Sequence, residues 1–264
     1  MISNRINKWK VQEKMRRISV QLWSLRNPMQ KDIPGTLKRL ADMGFKAVEP
    51  AGFGEYSALD FKKMCNDLGL DIPSSHTPWA NDPATISEAM DMAHALGLNW
   101  MVCGGGVPDF ENTDTIKRFA DKINAVYEVA SRNGFTMFQH NHAFEFERMD
   151  DGRLKYEFYH DLVPEAIKME LDTYWCANFG AENPVDIIKK YSDRIVLAHI
   201  KDGLFERNVP NVALGEGKMD IPAVVKALPE TVKTLVIEFD ECGTDIFEAV
   251  RKSRNYLVEL GFGE

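Results

Sequence analysis

The stretch Lys168–Asp202, KMELDTYWCANFGAENPVDIIKKYSDRIVLAHIKD, decides how the chain folds. It opens with a short apolar run, Met169–Leu171, that ends in Asp172. It closes with a second run, Ile195–Ile200, that carries His199 and leads into Lys201 and Asp202. A loop and one helix's worth of residues, about 184–190, lie between them. Two strands joined by a crossover helix form a βαβ unit, and parallel strands deliver their C-terminal ends to the same side of a sheet. Asp172 and His199 are therefore expected to be neighbours. A carboxylate and an imidazole meeting at strand ends suggest a metal site.

The same alternation extends in both directions. Strands are expected at 18–23, 45–49, 70–75, 100–103, 135–139, 169–171, 195–200 and 234–239. Their short, mostly continuous apolar runs suit strands buried on both faces. Asp32 caps a first helix with Ile33, Leu37, Leu40 and Ala41 on one stripe. A second helix, 57–68, is expected to turn Leu59, Met64 and Leu68 inward, and a third covers 83–96. The clearest helix places Ile116, Phe119, Ala120, Ile123, Val126, Tyr127 and Ala130 on one face. An irregular loop over 148–158 precedes a short helix; further helices follow at 184–190, from the Asp220 cap to Leu228, and at about 245–260. Eight strand–helix units in this length fit an α/β chain built as a single (β/α)8 TIM barrel better than an open doubly wound sheet. The barrel is assigned to residues 17–264 and a short basic N-terminal extension to 1–16. Gly104–Gly106 lacks dinucleotide-fingerprint spacing and reads as a tight turn.

Composition narrows the function. The net charge is −8. Residues 1–17 hold six basic side chains against Glu13 alone, which leaves −13 on the remainder. Phosphate backbones are held by Lys/Arg fields, so a body this acidic argues against nucleic acid. No apolar run approaches the roughly 20 residues that span a bilayer, and the first 17 residues lack a signal peptide's apolar centre. Four cysteines (Cys65, Cys103, Cys176 and Cys242) include no CxxC pair, which favours reduced thiols and a cytoplasmic location.

In a barrel of this kind, active sites lie at the C-terminal ends of the strands. Glu49, His76, His140, His142, Glu145, Asp172, His199, Lys201, Asp202, Glu238 and Asp240 all fall there. Singly, most have ordinary readings: Asp172 can cap the next loop, His199 can be a satisfied core histidine, and Glu145 a surface residue. Glu238, inside LVIEFD, is different, because an ionised carboxylate in a buried strand needs a partner or a cation. Carboxylates with an imidazole suit Mn²⁺, Mg²⁺, Co²⁺ or Zn²⁺. Such an ion can act as a Lewis acid on a sugar carbonyl while a carboxylate moves a proton. Trp23, Phe53, Trp79 and Trp175 are core residues or walls for a sugar ring.

The motifs QLWSLR, GTLKRLADMGFKAVEPAGF, SSHTP, HNHAFEFE, ELDTYW, HIKD, LGEGKMD and VIEFDEC, in this order, resemble the xylose isomerase-like TIM-barrel superfamily of sugar and sugar phosphate isomerases and epimerases. The resemblance covers about residues 17–262. It implies one divalent ion, Mn²⁺ first among the candidates, held by residues from strands five to eight. Three ligands fall on Asp172, His199 and Glu238. In D-tagatose 3-epimerase-like relatives the remaining ligand is a Glu at the end of strand five, where this chain has Gln139 or His140. The nearest carboxylate is Glu145, which is taken as the fourth ligand with His140 as the alternative. The resemblance also implies proton transfer by Glu145, Glu238, His140 or His142. Substrate contacts are expected from Glu49, His76, Trp175, Lys201 and Asp202, with Glu216 and Asp220 completing or lidding the site.

The expected activity is a metal-dependent isomerase or epimerase of a ketose or keto-sugar derivative, working through an enediolate held at the metal. A lyase that eliminates a substituent from a 3-keto-glycoside through the same enolate is the alternative. Endonuclease IV-like DNA repair and non-catalytic sugar binding are the remaining readings. The expected partner is a small sugar, with no nucleic acid and no membrane; homo-oligomerisation is left open.

Overall fold

The computed structural model describes residues 15–264, and the expected extension over 1–16 lies outside them apart from Met15 and Arg16. Seven parallel strands form one curved sheet: β1 (Arg17–Gln21), β2 (Ala47–Glu49), β3 (Trp100–Cys103), β4 (Thr136–His140), β5 (Lys168–Asp172), β6 (Ile195–Ile200) and β7 (Thr234–Ile237), in the order β2-β1-β7-β6-β5-β4-β3. The helices are α1 (Arg26–Lys31), α2 (Ile33–Asp42), α3 (Ala58–Asp67), α4 (Ile86–Leu96), α5 (Thr113–Arg132), α6 (Lys155–His160), α7 (Pro184–Lys190), α8 (Ile221–Ala227) and α9 (Ile246–Glu259). The architecture is the TIM barrel.

The expected strand at 70–75 is not a regular strand, and its path shows why. It forms a bridge from Asp71 to Ala47, with Asp71 N–H donating to Lys46 O (2.9 Å) and Val48 N–H to Asp71 O (2.9 Å). Pro73 then removes a donor and ends the ladder. The segment still fills the gap between β2 and β3. His76 N–H reaches Pro50 O at 2.8 Å, and Trp100 Nε1 donates to Pro73 O at 2.9 Å.

Two expectations within the helical layer are corrected. Leu59 is 64% exposed, because the buried face of α3 is centred on Ala58, Phe61 and Cys65; Met64 and Leu68 pack half-buried against the core as expected. Helix α6 begins at Lys155, inside the expected irregular loop. Elsewhere the local chemistry works as read. Asp32 accepts from Gly35 N–H at the start of α2, Asp220 accepts from Ala223 N–H at the start of α8, and α4 ends on Gly97 at φ 79°.

The core has two parts. Between strands and helices lie large apolar clusters, such as Ile18, Leu37, Ile237 and Val250, or Met101, Ile116, Ile123 and Met137. Inside the barrel is a small plug of Val102, Phe138 and Leu197, packed with Trp79 and Trp100. Each such buried side chain stabilises the fold by roughly 1.5–3 kcal/mol. Strand side chains alternate between these parts. Two residues beyond Phe138 and Leu197, the inward-facing positions become His140 and His199. All four cysteines are free, and among the described residues no helix is long and apolar enough to cross a membrane.

Below the sheet, His160 is 5% exposed and packs against Tyr156 and Tyr159, with ring centroids 4.3 and 5.1 Å away. Burial, then Arg194, holds its pKa well below the usual imidazole value, so the folded state keeps it neutral. The unfolded chain protonates it as pH falls through about 6.5, so stability is full above that pH and is lost below it. Urea unfolding between pH 7 and 5 should therefore show a steeper loss in the wild type than in His160→Phe, by up to about 1.4 kcal/mol per pH unit. Identical slopes would show that His160 already titrates normally in the fold.

Candidate metal centre

The C-terminal ends of the strands converge on a buried polar array. His140, Asp172, His199 and Glu238 form one group whose donor atoms lie within 4.8 Å of one another. They are supplied by β4, β5, β6 and the residue after β7, and none is more than 5% exposed. The register explains the meeting of the middle pair: Asp172 on β5 is paired directly with His199 on β6. Asp172 Oδ1 also accepts from the backbone N–H groups of Tyr174 (3.0 Å) and Trp175 (2.9 Å). The capping role and the site role are thus carried by different oxygens of one carboxylate.

A deeper layer holds the imidazoles. His199 Nδ1 lies 2.5 Å from Glu238 Oε2, and its Nε2 lies 2.7 Å from Glu49 Oε2 and 3.4 Å from Glu170 Oε1. Glu170 Oε2 contacts His76 Nε2 at 2.5 Å and His140 Nδ1 at 3.2 Å. Glu49 is fixed in turn by Gln21 Nε2 (2.7 Å) and by the Ser74 hydroxyl. His199 meets a carboxylate at each ring nitrogen, Nε2 at Glu49 and Nδ1 at Glu238, so an ion would take the place of its Nδ1 proton; His140, donating Nδ1–H to Glu170, presents a lone pair at Nε2. Carboxylates commonly fix the tautomer and aim of metal-binding histidines in this way.

The electrostatics follow from burial and proximity. Burial opposes charge on His199, but Glu170, Glu238 and Glu49 outweigh it and raise its pKa well above the usual value. His76 is raised for the same reason, with Glu49 and Glu170 overcoming burial. Burial would raise Glu170, yet His199 and His76 hold it well below the usual carboxylate range. Glu49 is raised by burial and by Glu170, and Asp172 is pushed up to about 6, chiefly by burial. Lys201, 1% exposed, contacts Asp172 Oδ2 (2.8 Å), Glu238 Oε2 (2.9 Å) and Asp240 Oδ2 (2.8 Å). These carboxylates overcome the cost of burying its ammonium group and raise its pKa well above the usual value.

The remaining expected site residues separate. Glu145 is fully buried on the turn at Ala143–Phe146, but its Oε2 accepts from His142 N–H at 2.8 Å, and it lies outside the four-residue group. The reason is local. β4 runs through His140, the Asn141 side chain holds the Asp172 backbone, accepting from its N–H (3.0 Å) and donating Nδ2–H to its carbonyl (3.3 Å), and the following turn carries Glu145 away. The fourth donor of the convergent group is thus His140, the alternative to Glu145. Asp202 faces loop backbone: it accepts from the N–H groups of Gly203, Gly215, Gly217 and Met219 at 2.8–3.1 Å. Glu216 pairs with Lys252 at 2.7 Å on the surface. Both depart from the substrate contacts expected of them. His142 stands beside His140, ring centroids 5.1 Å apart; burial and then Lys201 lower its pKa to about 4, so it is a neutral imidazole. Trp79 packs edge-on to His76 at 5.2 Å, and Trp175 Nε1 donates to Asp240 Oδ2 at 3.1 Å. Phe53 is core against Phe61, while Trp23 is 48% exposed. A Cβ on Gly104 would meet Trp79 at 2.5 Å and His140 O at 2.9 Å, so this glycine permits a close approach at the site.

Glu170, buried in the centre of MEL, was not foreseen from the sequence. The argument that singled out Glu238, an ionised carboxylate in an apolar strand, applies to it equally, and the two-residue strand period places it on the face of Asp172.

The chain matches the xylose isomerase-like TIM barrel family over residues 37–259 and belongs to it. It is similar to a sugar phosphate isomerase/epimerase from Parabacteroides distasonis, with 27% identity, a TM-score of 0.79, and 95% of this chain and 96% of that one covered. The structure of L-ribulose 3-epimerase aligns at 18% identity and a TM-score of 0.68 over 94% of this chain and 95% of that one. An AP endonuclease, family 2, from Brucella melitensis aligns at 12% and 0.70 over 93% and 99%. The last two likenesses are of fold. Among curated proteins, none matches this chain.

Two imidazoles and two carboxylates, buried and convergent, are a donor set that could hold a divalent ion of the Mn²⁺ to Zn²⁺ range. Titration calorimetry with Mn²⁺ should show Glu170→Gln weakening the ion by about 10–100-fold, as expected when a carboxylate orienting a ligand is lost. His140→Ala should weaken it at least as much, whereas Glu145→Gln should leave it nearly unchanged. The reverse order would return the fourth place to Glu145.

Proposed function

We propose that this protein is a metal-dependent isomerase or epimerase of a ketose or keto-sugar derivative. The observation that carries the proposal is the convergent group His140, Asp172, His199 and Glu238 at the mouth of a barrel of the xylose isomerase-like family. It overlaps a second set that could hold an ion, His76, His140, Glu170 and His199, and is chosen because all four of its members are buried and three of them stand on the consecutive strands β4, β5 and β6, with Glu238 just after β7. The likeness to the Parabacteroides isomerase/epimerase supports the sugar substrate. The −13 carried outside residues 1–17 disfavours a phosphate-backbone ligand.

His140, Asp172, His199 and Glu238 would hold the ion, and the two imidazoles favour Mn²⁺, Co²⁺ or Zn²⁺ over Mg²⁺. The ion, when bound, would supply Lewis-acid polarisation of a substrate carbonyl and acidify the adjacent carbon. The chain's own residues would then move the proton. Glu238 Oε2 is already occupied by His199 and Lys201, which leaves Oε1 to accept a proton from carbon. His142, neutral and without a protein partner at Nδ1, is the second proton carrier. A base on each side of a planar enediolate permits epimerisation, whereas one base acting alone permits a 1,2-shift. Lys201 would stabilise the oxygen on which negative charge develops, and His76 would hold a hydroxyl.

Exchange of substrate C–H for solvent deuterium tests this reading. Incubating the Mn²⁺-loaded protein with a panel of ketoses and keto-sugars should give exchange that EDTA abolishes and Mn²⁺ restores. Glu238→Gln should slow it by about 10²-fold or more. Exchange undiminished in Glu238→Gln would remove that residue from the proton transfer.

A further inference from the structure

Beside the metal centre, and separate from it, lies a cleft of about 600 Å³. Its walls come from the loops after β5, β6 and β7, and include Trp175, Phe179, Arg207, Asn208, Asn211 and Asp240. None of the four proposed metal ligands lines it. The two places are joined through one oxygen: Asp240 Oδ2 accepts from Trp175 Nε1 (3.1 Å) in the cleft wall and from Lys201 Nζ (2.8 Å), and Lys201 reaches Asp172 and Glu238. The cleft wall and the metal centre are thus separated by one side chain, Lys201, close enough for linked groups of one ligand to occupy both.

The backbone around the cleft is held in an unusual state. Asn178 (φ 42°), Phe179 (φ 56°), Phe205 (φ 59°) and Asn208 (φ 61°) are the described non-glycine residues with positive φ, and all lie on two of the three loops that form these walls, those after β5 and β6. Asparagine tolerates that region, but phenylalanine does not adopt it readily, and such strain persists where surrounding contacts enforce it and where function requires the shape. The enforcing contacts are present. Phe205 stacks on Tyr174 with centroids 5.4 Å apart, Phe205 N–H donates to the Tyr174 hydroxyl (3.2 Å), and Arg207 lies 4.3 Å over the Phe179 ring.

We propose that this cleft is a subsite for a second, uncharged sugar ring linked to the sugar at the metal centre, so that the substrate is a keto-glycoside of at least two rings. The proposal rests on reading the four-residue group as a keto-sugar site. Indole and phenyl faces suit the C–H face of a pyranose, and neighbouring carboxylate and amide groups suit its hydroxyls. Among the described residues the donors to the Asp240 carboxylate, Trp175 Nε1 and Lys201 Nζ, both go to Oδ2, which leaves Oδ1 to accept from one of them. The three carboxylates of the lining are each paired with a cation, Glu206 with Lys218 (3.7 Å), Asp240 with Lys201 (2.8 Å) and Glu241 with Arg26 (2.6 Å), and Arg207 packs over the Phe179 ring (4.3 Å), so the aromatic faces carry the choice of an uncharged ring and a ketose phosphate serves as the opposing arm of the test.

Calorimetric titration tests the subsite directly. The ligands are a β-linked glucose disaccharide oxidised to a ketone on one ring, the methyl glucoside oxidised at the same carbon, and a ketose phosphate, each added with and without Mn²⁺. The disaccharide should bind the wild type at least about tenfold more tightly than the methyl glucoside, and Phe179→Ala and Arg207→Ala should each remove most of that advantage while leaving methyl glucoside affinity unchanged. Equal binding of the two keto-glycosides, tighter binding of the ketose phosphate, an advantage untouched by both variants, or no binding of any ligand would overturn the proposal. Loss of Mn²⁺ binding and of proton exchange, with the disaccharide preference and its sensitivity to Phe179→Ala retained, would overturn the metal reading and leave the subsite standing.

Discussion

Glu49 and Glu170 are ionisable groups buried inside a barrel, where a carboxylate without a partner is severely destabilised. They are satisfied by three imidazoles, His76, His140 and His199, and by Gln21 and Ser74. The arrangement at the strand ends depends on this exchange. Carboxylates that need donors hold the histidines at fixed angles, and the histidines so held direct their other nitrogens toward Asp172 and Glu238. Removing one member would leave a buried charge or an unpartnered ring nitrogen next to the reacting region.

The array also explains why Lys201 can be buried. Its ammonium group meets Asp172, Glu238 and Asp240 at 2.8–2.9 Å, and it passes the charge of the inner group to the rim of the barrel. Asp240 continues the connection to Trp175 and to the outer cleft. Rigid strand ends therefore set the inner site, while strained loops shape the outer one. That division suits a barrel whose chemistry is held constant and whose specificity is carried by loops.

Much of this was legible in the residues. Apolar runs separated by capped helices placed β3, β6 and α7 at their observed bounds, and Asp32 and Asp220 cap the helices assigned to them. Asp172, His199 and Glu238 could be grouped because strand ends of a parallel barrel share one side. The misreadings have physical causes. Pro73 breaks a ladder that the apolar pattern of 70–75 suggested. Leu59, expected inward, faces solvent because helical spacing alone does not say how far round α3 the buried face extends. Glu145, expected as the fourth ligand, stands outside the group because the chain turns sharply after His140 and its Oε2 faces the His142 N–H, a turn that a linear reading does not show.

The sequence by itself determined the barrel and the family, and it singled out Asp172, His199 and Glu238, whose donor atoms the fold brings together, because continuous apolar strands, helix caps and strand-end polarity are local signals with one consistent global arrangement. Only the tertiary structure decided that His140 completes the group, that Glu170 and Glu49 orient the imidazoles, that Asp202 holds a loop, and that an aromatic cleft adjoins the site. Those assignments depend on which side chains converge from strands far apart in sequence, and on how each buried charge finds its counter-charge.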